Sequence, residues 1–136
     1  MSKNRAEDFG FSTFSPSDLS ISEDSYKPEK EGFEIGFETS ASDSIRLKWA
    51  YQMGLLELVG DTQINHPGLL VFDEPHQQSS SRPSFENLLK SAADAKMRHQ
   101  QVIFSTSEDI EVLKSITAEV DCKEKIFPGY ILQKLS

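Results

Sequence analysis

The chain has 136 residues, which is enough for one domain with one hydrophobic core and too few for two ordinary domains. Its net charge of −8, from 22 acidic and 14 basic side chains, excludes a protein that wraps nucleic acid over its whole surface, because phosphate binding needs a basic footprint. One cysteine excludes an internal disulfide and a cysteine-based zinc site, and without a long apolar run or a signal-peptide core we expect a cytoplasmic protein with no membrane span.

The N-terminal part of the chain is the most acidic and the least regular in pattern. Residues 1–45 hold ten acidic and four basic side chains, and Ser, Pro and Gly are concentrated there. This composition predicts an irregular polar lead-in over residues 1–32. The folded unit is then expected over residues 33–136, beginning with a half-buried strand at residues 33–38, where phenylalanine and isoleucine alternate with acidic or small residues.

A helix is predicted from Ile45 to Val59, because apolar residues recur there at steps of three and four. Either Ser42 or Asp43 is suited to cap its N-terminus, and Gly60 is suited to end it. After a polar loop, four large apolar residues from Leu69 to Phe72 precede two acids. Such a run is typical of a strand buried on both faces of a parallel sheet.

The second half of the chain alternates predicted helices and strands. A helix over residues 84–99, capped by Ser84, is followed by a short buried strand over residues 101–105. A helix over residues 109–117 and a last short strand around residues 130–132 complete the pattern. This order predicts an α/β fold with mostly parallel strands flanked by helices.

The candidate chemistry begins with Asp73 and Glu74 at the carboxyl end of the first predicted buried strand. Open α/β sheets bind their ligands at this edge. In nucleotide hydrolysis, Asp73 would hold Mg²⁺ through its water shell, and Glu74 would orient or deprotonate the attacking water. Acidic residues at the end of a strand are also common in soluble proteins. The pair therefore indicates a nucleotide site only together with the surrounding sequence.

That context includes a run of small residues, Thr39 to Asp43, at the start of the first long helix. Backbone N–H groups and small hydroxyls at a helix N-terminus can receive a phosphate, although a plain helix cap has the same composition. The order of a small-residue helix start, a long helix, a buried strand and DE-Pro resembles the C-terminal lobe of ABC-type ATPases, especially the SMC-like branch of DNA-repair and phage-defence proteins.

The resemblance covers residues 33–109 and includes the phrases NHPGLLVFDEPHQQS and QQVIFSTSED. It implies a partial P-loop NTPase fold in which Ser40, Ala41, Ser42 and Asp43 contact nucleotide as the signature motif. Leu69–Glu74 would be the Walker B strand, with Mg²⁺ and ATP as ligands. The chain departs from the family in lacking the signature glycines.

Two further elements of the family differ in this chain. Gln77 and Gln78 stand where the D-loop is expected and are candidates for contact with a facing nucleotide. The switch histidine is replaced by Thr106-Ser107-Glu108, which leaves Ser107 and Glu108 as candidates for sensing the γ-phosphate.

The phosphate-binding loop itself is missing from the sequence. A P-loop has the fixed pattern G-x-x-x-x-G-K followed by Ser or Thr. No two of the chain's 7 glycines have that spacing. We therefore expect the chain to act with a P-loop-bearing lobe or a homologous subunit, with DNA contacted through the complex, and to be inactive alone.

Two alternatives stay open at this stage. The chain could be a non-enzymatic interaction module, or a truncated relic, that keeps the acid pair only as structure. It could also be a small phosphodiesterase that binds Mg²⁺ through Asp73 and Glu74, with Asp109 as a third acid.

Overall fold

The computed structural model describes residues 3–35, 39–59, 65–75 and 81–127. The chain is a mixed α/β protein with four α-helices and two small sheets in this part. The elements in order are α1 (Lys3–Asp8), β1 (Leu19–Ile21), β2 (Pro28–Lys30), β3 (Phe33–Glu34), α2 (Ala41–Leu58), β4 (Leu69–Asp73), α3 (Arg82–Asp94), β5 (Gln101–Ser105) and α4 (Ile110–Thr117).

The predicted parallel pairing is confirmed for β4 and β5, which align in register from Leu69 with Gln101 to Asp73 with Ser105. The other sheet is antiparallel, with the order β1-β2-β3, and was not expected. Most strands in the described part of the chain are therefore antiparallel, contrary to the prediction. The last predicted strand, around residues 130–132, lies outside the described residues.

The helices all contribute to one core on a single face of the parallel sheet. Phe72 and Phe104 are register partners whose rings stack at 5.2 Å, and the Phe85 ring of α3 meets Phe104 edge-on at 6.2 Å. The core comprises these buried side chains: Ala6, Phe9, Phe11, Leu19, Leu47, Trp49, Ala50, Met53, Phe72, Phe85, Leu88, Leu89, Ala92 and Ile116.

The opposite face of the parallel sheet is open. Val71 is 59% exposed, Ile103 is 42% exposed and Leu69 is 38% exposed. The prediction that β4 is buried on both faces is therefore wrong, because α2, α3 and α4 contribute their buried side chains to the core on one side only.

The predicted irregular lead-in, residues 1–32, contains secondary structure and contributes side chains to the core. Phe9 and Phe11 are buried, and the Phe9 ring meets the Trp49 indole edge-on at 6.3 Å. By contrast, Phe33 is 78% exposed, so the half-buried strand expected at residues 33–38 is confined to Phe33–Glu34 within the described part. The N-terminal segment packs on α2 and buries Trp49. The apolar periodicity of α2 did not predict that this side of the helix would be buried.

The helix boundaries follow capping chemistry. The Ser40 hydroxyl accepts a hydrogen bond from the Asp43 N–H at 3.1 Å, so α2 begins at Ala41 and the predicted caps, Ser42 and Asp43, are wrong. Similarly, α3 begins at Arg82, before the predicted cap Ser84. Asp109 caps α4 by accepting from the Glu111 N–H at 2.8 Å. No helix in the described ranges has the length and apolarity needed to cross a membrane.

Candidate functional site

The candidate site is built where the parallel strands end together. Asp73 is the last residue of β4 and lies beside Ser105, the last residue of β5. Glu74 follows directly, and its N–H donates to the Ser105 carbonyl at 2.7 Å. This bond extends the ladder by one step, so Glu74 is placed beside the loop that follows β5.

Glu74 has an unusual backbone conformation. Its φ of 46° lies in the left-handed region, which a side chain with a β-carbon adopts at a cost of roughly 1–2 kcal/mol. Strained backbone persists only where the surroundings fix it, and it is concentrated at functional sites. The turn at Glu74 redirects the chain at the end of β4, and its side chain is half-buried while Asp73 is exposed.

The Glu74 carboxylate is held by hydroxyl and backbone donors from the other strand end. Hydrogen bonds from the Ser107 side chain and backbone lower its pKa below the ordinary value; burial opposes them, and Thr106 adds the smallest lowering effect. The Thr106 hydroxyl donates to the carboxylate at 3.4 Å. Glu74 is therefore an ionised acceptor near neutral pH, oriented by the loop after β5.

The structure thus brings the predicted catalytic residue and one predicted switch residue together. Ser107 contacts Glu74 directly, whereas the Glu108 N–H donates to the Thr106 hydroxyl at 3.1 Å. Thr106 was not predicted as a site residue, although its position next to Ser107 in the sequence could have indicated it. Gln77 and Gln78 lie outside the described residues.

Asp73 and Glu74 do not belong to a larger cluster of possible metal ligands in the described part of the chain. Among the described residues, no group of three or more His, Cys, Asp or Glu side chains could hold a metal ion. Mg²⁺ keeps several of its waters and is often bound through one or two carboxylates together with substrate phosphates. The exposed Asp73 fits that role. Asp109 does not join them as a third ligand in such a group, and its Oδ1 atom caps α4.

The predicted signature residues divide into two groups. Ser40 and Ala41 are exposed and Ser42 is half-buried, and the Ser40 and Ser42 hydroxyls lie 3.1 Å apart. These three residues present small polar groups at the start of α2. Asp43, in contrast, is only 2% exposed.

The buried Asp43 carboxylate is bound by the N-terminal segment. It accepts from the main-chain N–H of Ser12 at 3.1 Å and of Thr13 at 2.7 Å, and from the Thr13 hydroxyl at 2.6 Å. Arg46 donates to its other oxygen at 2.7 Å. Burial raises the pKa of Asp43, but the bonds from Thr13, Arg46 and Ser12 outweigh it and lower the pKa overall.

Asp43 therefore anchors residues 12–13 to α2, and its carboxylate is hydrogen-bonded within the protein. Nothing in the sequence marks Ser12 and Thr13 as its partners, because they lie 31 and 30 residues away. Only Arg46 could have been predicted as a partner of Asp43, because it lies one turn further along the same helix. Arg46 also donates to the Ser81 hydroxyl at 3.4 Å, which links the start of α2 to the start of α3.

Comparison of the chain with protein-family models, with curated proteins and with solved structures finds no match. The functional argument therefore depends on the residues and the geometry described above.

Proposed function

We propose that this chain is the C-terminal lobe of an ABC/SMC-like ATPase, which supplies Walker B and signature elements to a P-loop-bearing partner in DNA repair or phage defence. The observation that carries the proposal is Glu74. It follows a strand of a parallel sheet, has a left-handed backbone conformation, and its carboxylate is oriented by the neighbouring strand end.

The roles of the acid pair follow from their environments. Asp73 is exposed at the strand end and would contact Mg²⁺ through water, where the ion neutralises phosphate charge. Glu74 has a lowered pKa, so its carboxylate can accept a hydrogen bond from a water molecule but is a weak base. We therefore assign it to orienting the attacking water more than to removing its proton.

The nucleotide would be shared between two lobes. Without a P-loop, this chain has no cradle for the β- and γ-phosphates, so the partner would hold ATP. Ser40, Ala41 and Ser42 would approach the γ-phosphate from the start of α2, where neutral hydroxyls and backbone N–H groups accept an anion.

ATP turnover tests the proposal directly. The purified chain alone should hydrolyse no ATP, and a P-loop-bearing chain encoded beside it should restore turnover. Glu74→Gln should then reduce kcat by roughly 100-fold or more, because the attacking water loses the carboxylate that orients it. Glu111→Gln is the matched control, because the Glu111 side chain is 85% exposed on α4. Equal activity of the Glu74→Gln pair would reject the assignment.

A non-enzymatic interaction module is the second candidate, favoured by the internal use of Asp43 and by the open face of the parallel sheet. In that case partner binding would survive Asp73→Asn and would not depend on ATP. A metal-dependent phosphodiesterase has less support, because Asp109 caps α4.

A further inference from the structure

A groove of about 760 Å³ runs along the side of β5 that faces away from β4. All five residues of β5 line it, and its apolar lining includes Leu89 of α3 and Leu113 of α4. A volume of this size is typical of a binding site. Unpaired strand edges are seldom left open in native proteins, so this groove calls for an occupant.

The strand edge beside the groove has backbone groups that β4 does not use. The Gln101 N–H donates to the Gly68 carbonyl at 2.8 Å, so the odd-numbered residues of β5 bond to β4. The alternate residues of a strand direct their N–H and C=O groups to the opposite side. The backbone groups of Val102 and Phe104 therefore point away from β4, and no strand within the described ranges pairs with them.

The chain itself leads into this groove. After α4, residues 121–127 form an exposed coil, and all of them line the groove. The coil is fastened at its start by the Lys96–Asp121 ion pair. Its last two residues, Ile126 and Phe127, are large and apolar but 48% and 52% exposed. The residues that follow Phe127 therefore start at the groove.

Residues 128–136, which lie outside the described ranges, have a sequence that suits the groove. They open with Pro-Gly, which favours a turn, and they include the strand predicted around residues 130–132. None is acidic, in a chain with a net charge of −8. Nine extended residues reach about 30 Å, and the five residues of β5 span about 17 Å. The large apolar side chains of this segment are Tyr130, Ile131, Leu132 and Leu135.

We propose that residues 130–132 bind in the groove beside β5 of the same chain, after a turn at Pro128-Gly129. Their extended backbone supplies N–H and C=O groups at the spacing that Val102 and Phe104 require, and alternate apolar side chains enter the groove. A tethered segment is present at a high effective concentration, which favours it over a separate molecule. A second copy of the chain is a poorer occupant, because two copies with a net charge of −8 repel each other.

This inference goes beyond the proposed function, because it concerns the free chain and involves neither ATP nor a partner. It has one consequence for binding. The groove is closed to any other extended segment until residues 130–132 leave it.

Nuclear Overhauser effects test the contact in the unaltered chain. Methyl protons of residues 131–132 should show cross-peaks to methyl protons of Val102 and Leu113, which requires direct contact between the side chains. A mixture of labelled and unlabelled chains separates contacts within one chain from contacts between copies. Absence of these cross-peaks, or cross-peaks between copies only, would overturn the proposal.

Amide hydrogen exchange measures what the segment protects. In the double variant Ile131→Asp with Leu132→Asp, the Val102 and Phe104 amides should exchange at least tenfold faster than in the wild type. The double variant Gln133→Asp with Ser136→Asp adds the same charge to the same segment without removing an apolar side chain, and it should change both rates less than twofold.

The amide of Leu88, within α3, reports whether the fold is intact. Faster exchange at Val102 and Phe104 with an unchanged rate at Leu88 supports local release of the segment. Equal rates in the two double variants would overturn the proposal. If Leu88 also exchanges faster, the variant has lost its fold, and the Overhauser effects in the unaltered chain decide the question.

Discussion

Asp43 and Thr13 are joined by two hydrogen bonds, one from the Thr13 N–H at 2.7 Å and one from its hydroxyl at 2.6 Å. A buried carboxylate is tolerable in a protein core only when such donors replace its hydration. The pair therefore links the N-terminal segment to the first turn of α2, and it determines how both respond to mutation and to acid.

Removing the anchor should destabilise the whole chain. Asp43→Ala would leave the Ser12 and Thr13 N–H groups and the Arg46 guanidinium without their acceptor, at a cost of about 2–4 kcal/mol in the free energy of unfolding. Urea denaturation followed by tryptophan fluorescence measures this cost through the buried Trp49. Asp24→Ala, at an exposed turn, should change stability by less than about 0.5 kcal/mol. Equal effects of the two variants would refute the anchoring role.

The hydroxyl of Thr13 should make a separable contribution. Thr13→Val keeps the shape of the side chain and the main-chain donor but removes the O–H group, and it should cost about 1 kcal/mol. Ser12→Ala should cost less, because its hydroxyl donates at the longer distance of 3.4 Å. The same unfolding measurement ranks the two variants, and the reverse order would contradict the geometry.

Acid should weaken the fold through Asp43. Its pKa is lowered from 3.8, so the carboxylate binds fewer protons in the folded than in the unfolded state. Its stabilising contribution is present above the unfolded value and is lost as pH falls through the folded value. Unfolding free energies measured from pH 6 downward should therefore decline less steeply below about pH 4 in Asp43→Asn than in the wild type. Parallel curves would refute this.

The left-handed backbone at Glu74 predicts that glycine, compared with alanine, stabilises the chain at position 74 and destabilises it at position 73. Because Glu74 has a φ of 46°, Glu74→Gly should be about 1 kcal/mol more stable than Glu74→Ala. At Asp73, in extended β4, the order should reverse, with Asp73→Gly less stable than Asp73→Ala by about 0.5–1 kcal/mol. Thermal unfolding of the four variants supplies the comparison, and the same order at both positions would count against the left-handed turn.

The one-sided sheet can be tested with adjacent residues. Val71→Thr, on the open face, should change stability by less than about 0.5 kcal/mol. Phe72→Ala, on the core face, should cost about 3–5 kcal/mol because its ring stacks on Phe104. A large cost at Val71 in the isolated chain would indicate that another element covers this face.

The second half of the fold could be predicted because its signals are local. The apolar runs of β4 and β5 lie within the strands they define, whereas Asp109, which caps α4, falls inside the predicted helix. The same locality placed Glu74 and Ser107 at neighbouring strand ends, and the structure joins them.

The contribution of the N-terminal segment to the hydrophobic core could not be predicted, because isolated apolar residues among Ser and Gly show no periodicity. Phe9 is buried through its contact with Trp49, 40 positions along the chain. The burial of Asp43 depends in the same way on distant partners, so its sequence position alone indicated an exposed helix cap.

The burial of Phe9 and Phe11 also determines how the chain can be divided. A fragment that begins at residue 33, where the composition changes, would lose both rings and the donors to Asp43, and it would expose Trp49 to water. Such a fragment is expected to aggregate. A fusion or a tag is better joined ahead of α1, where it leaves this aromatic cluster intact.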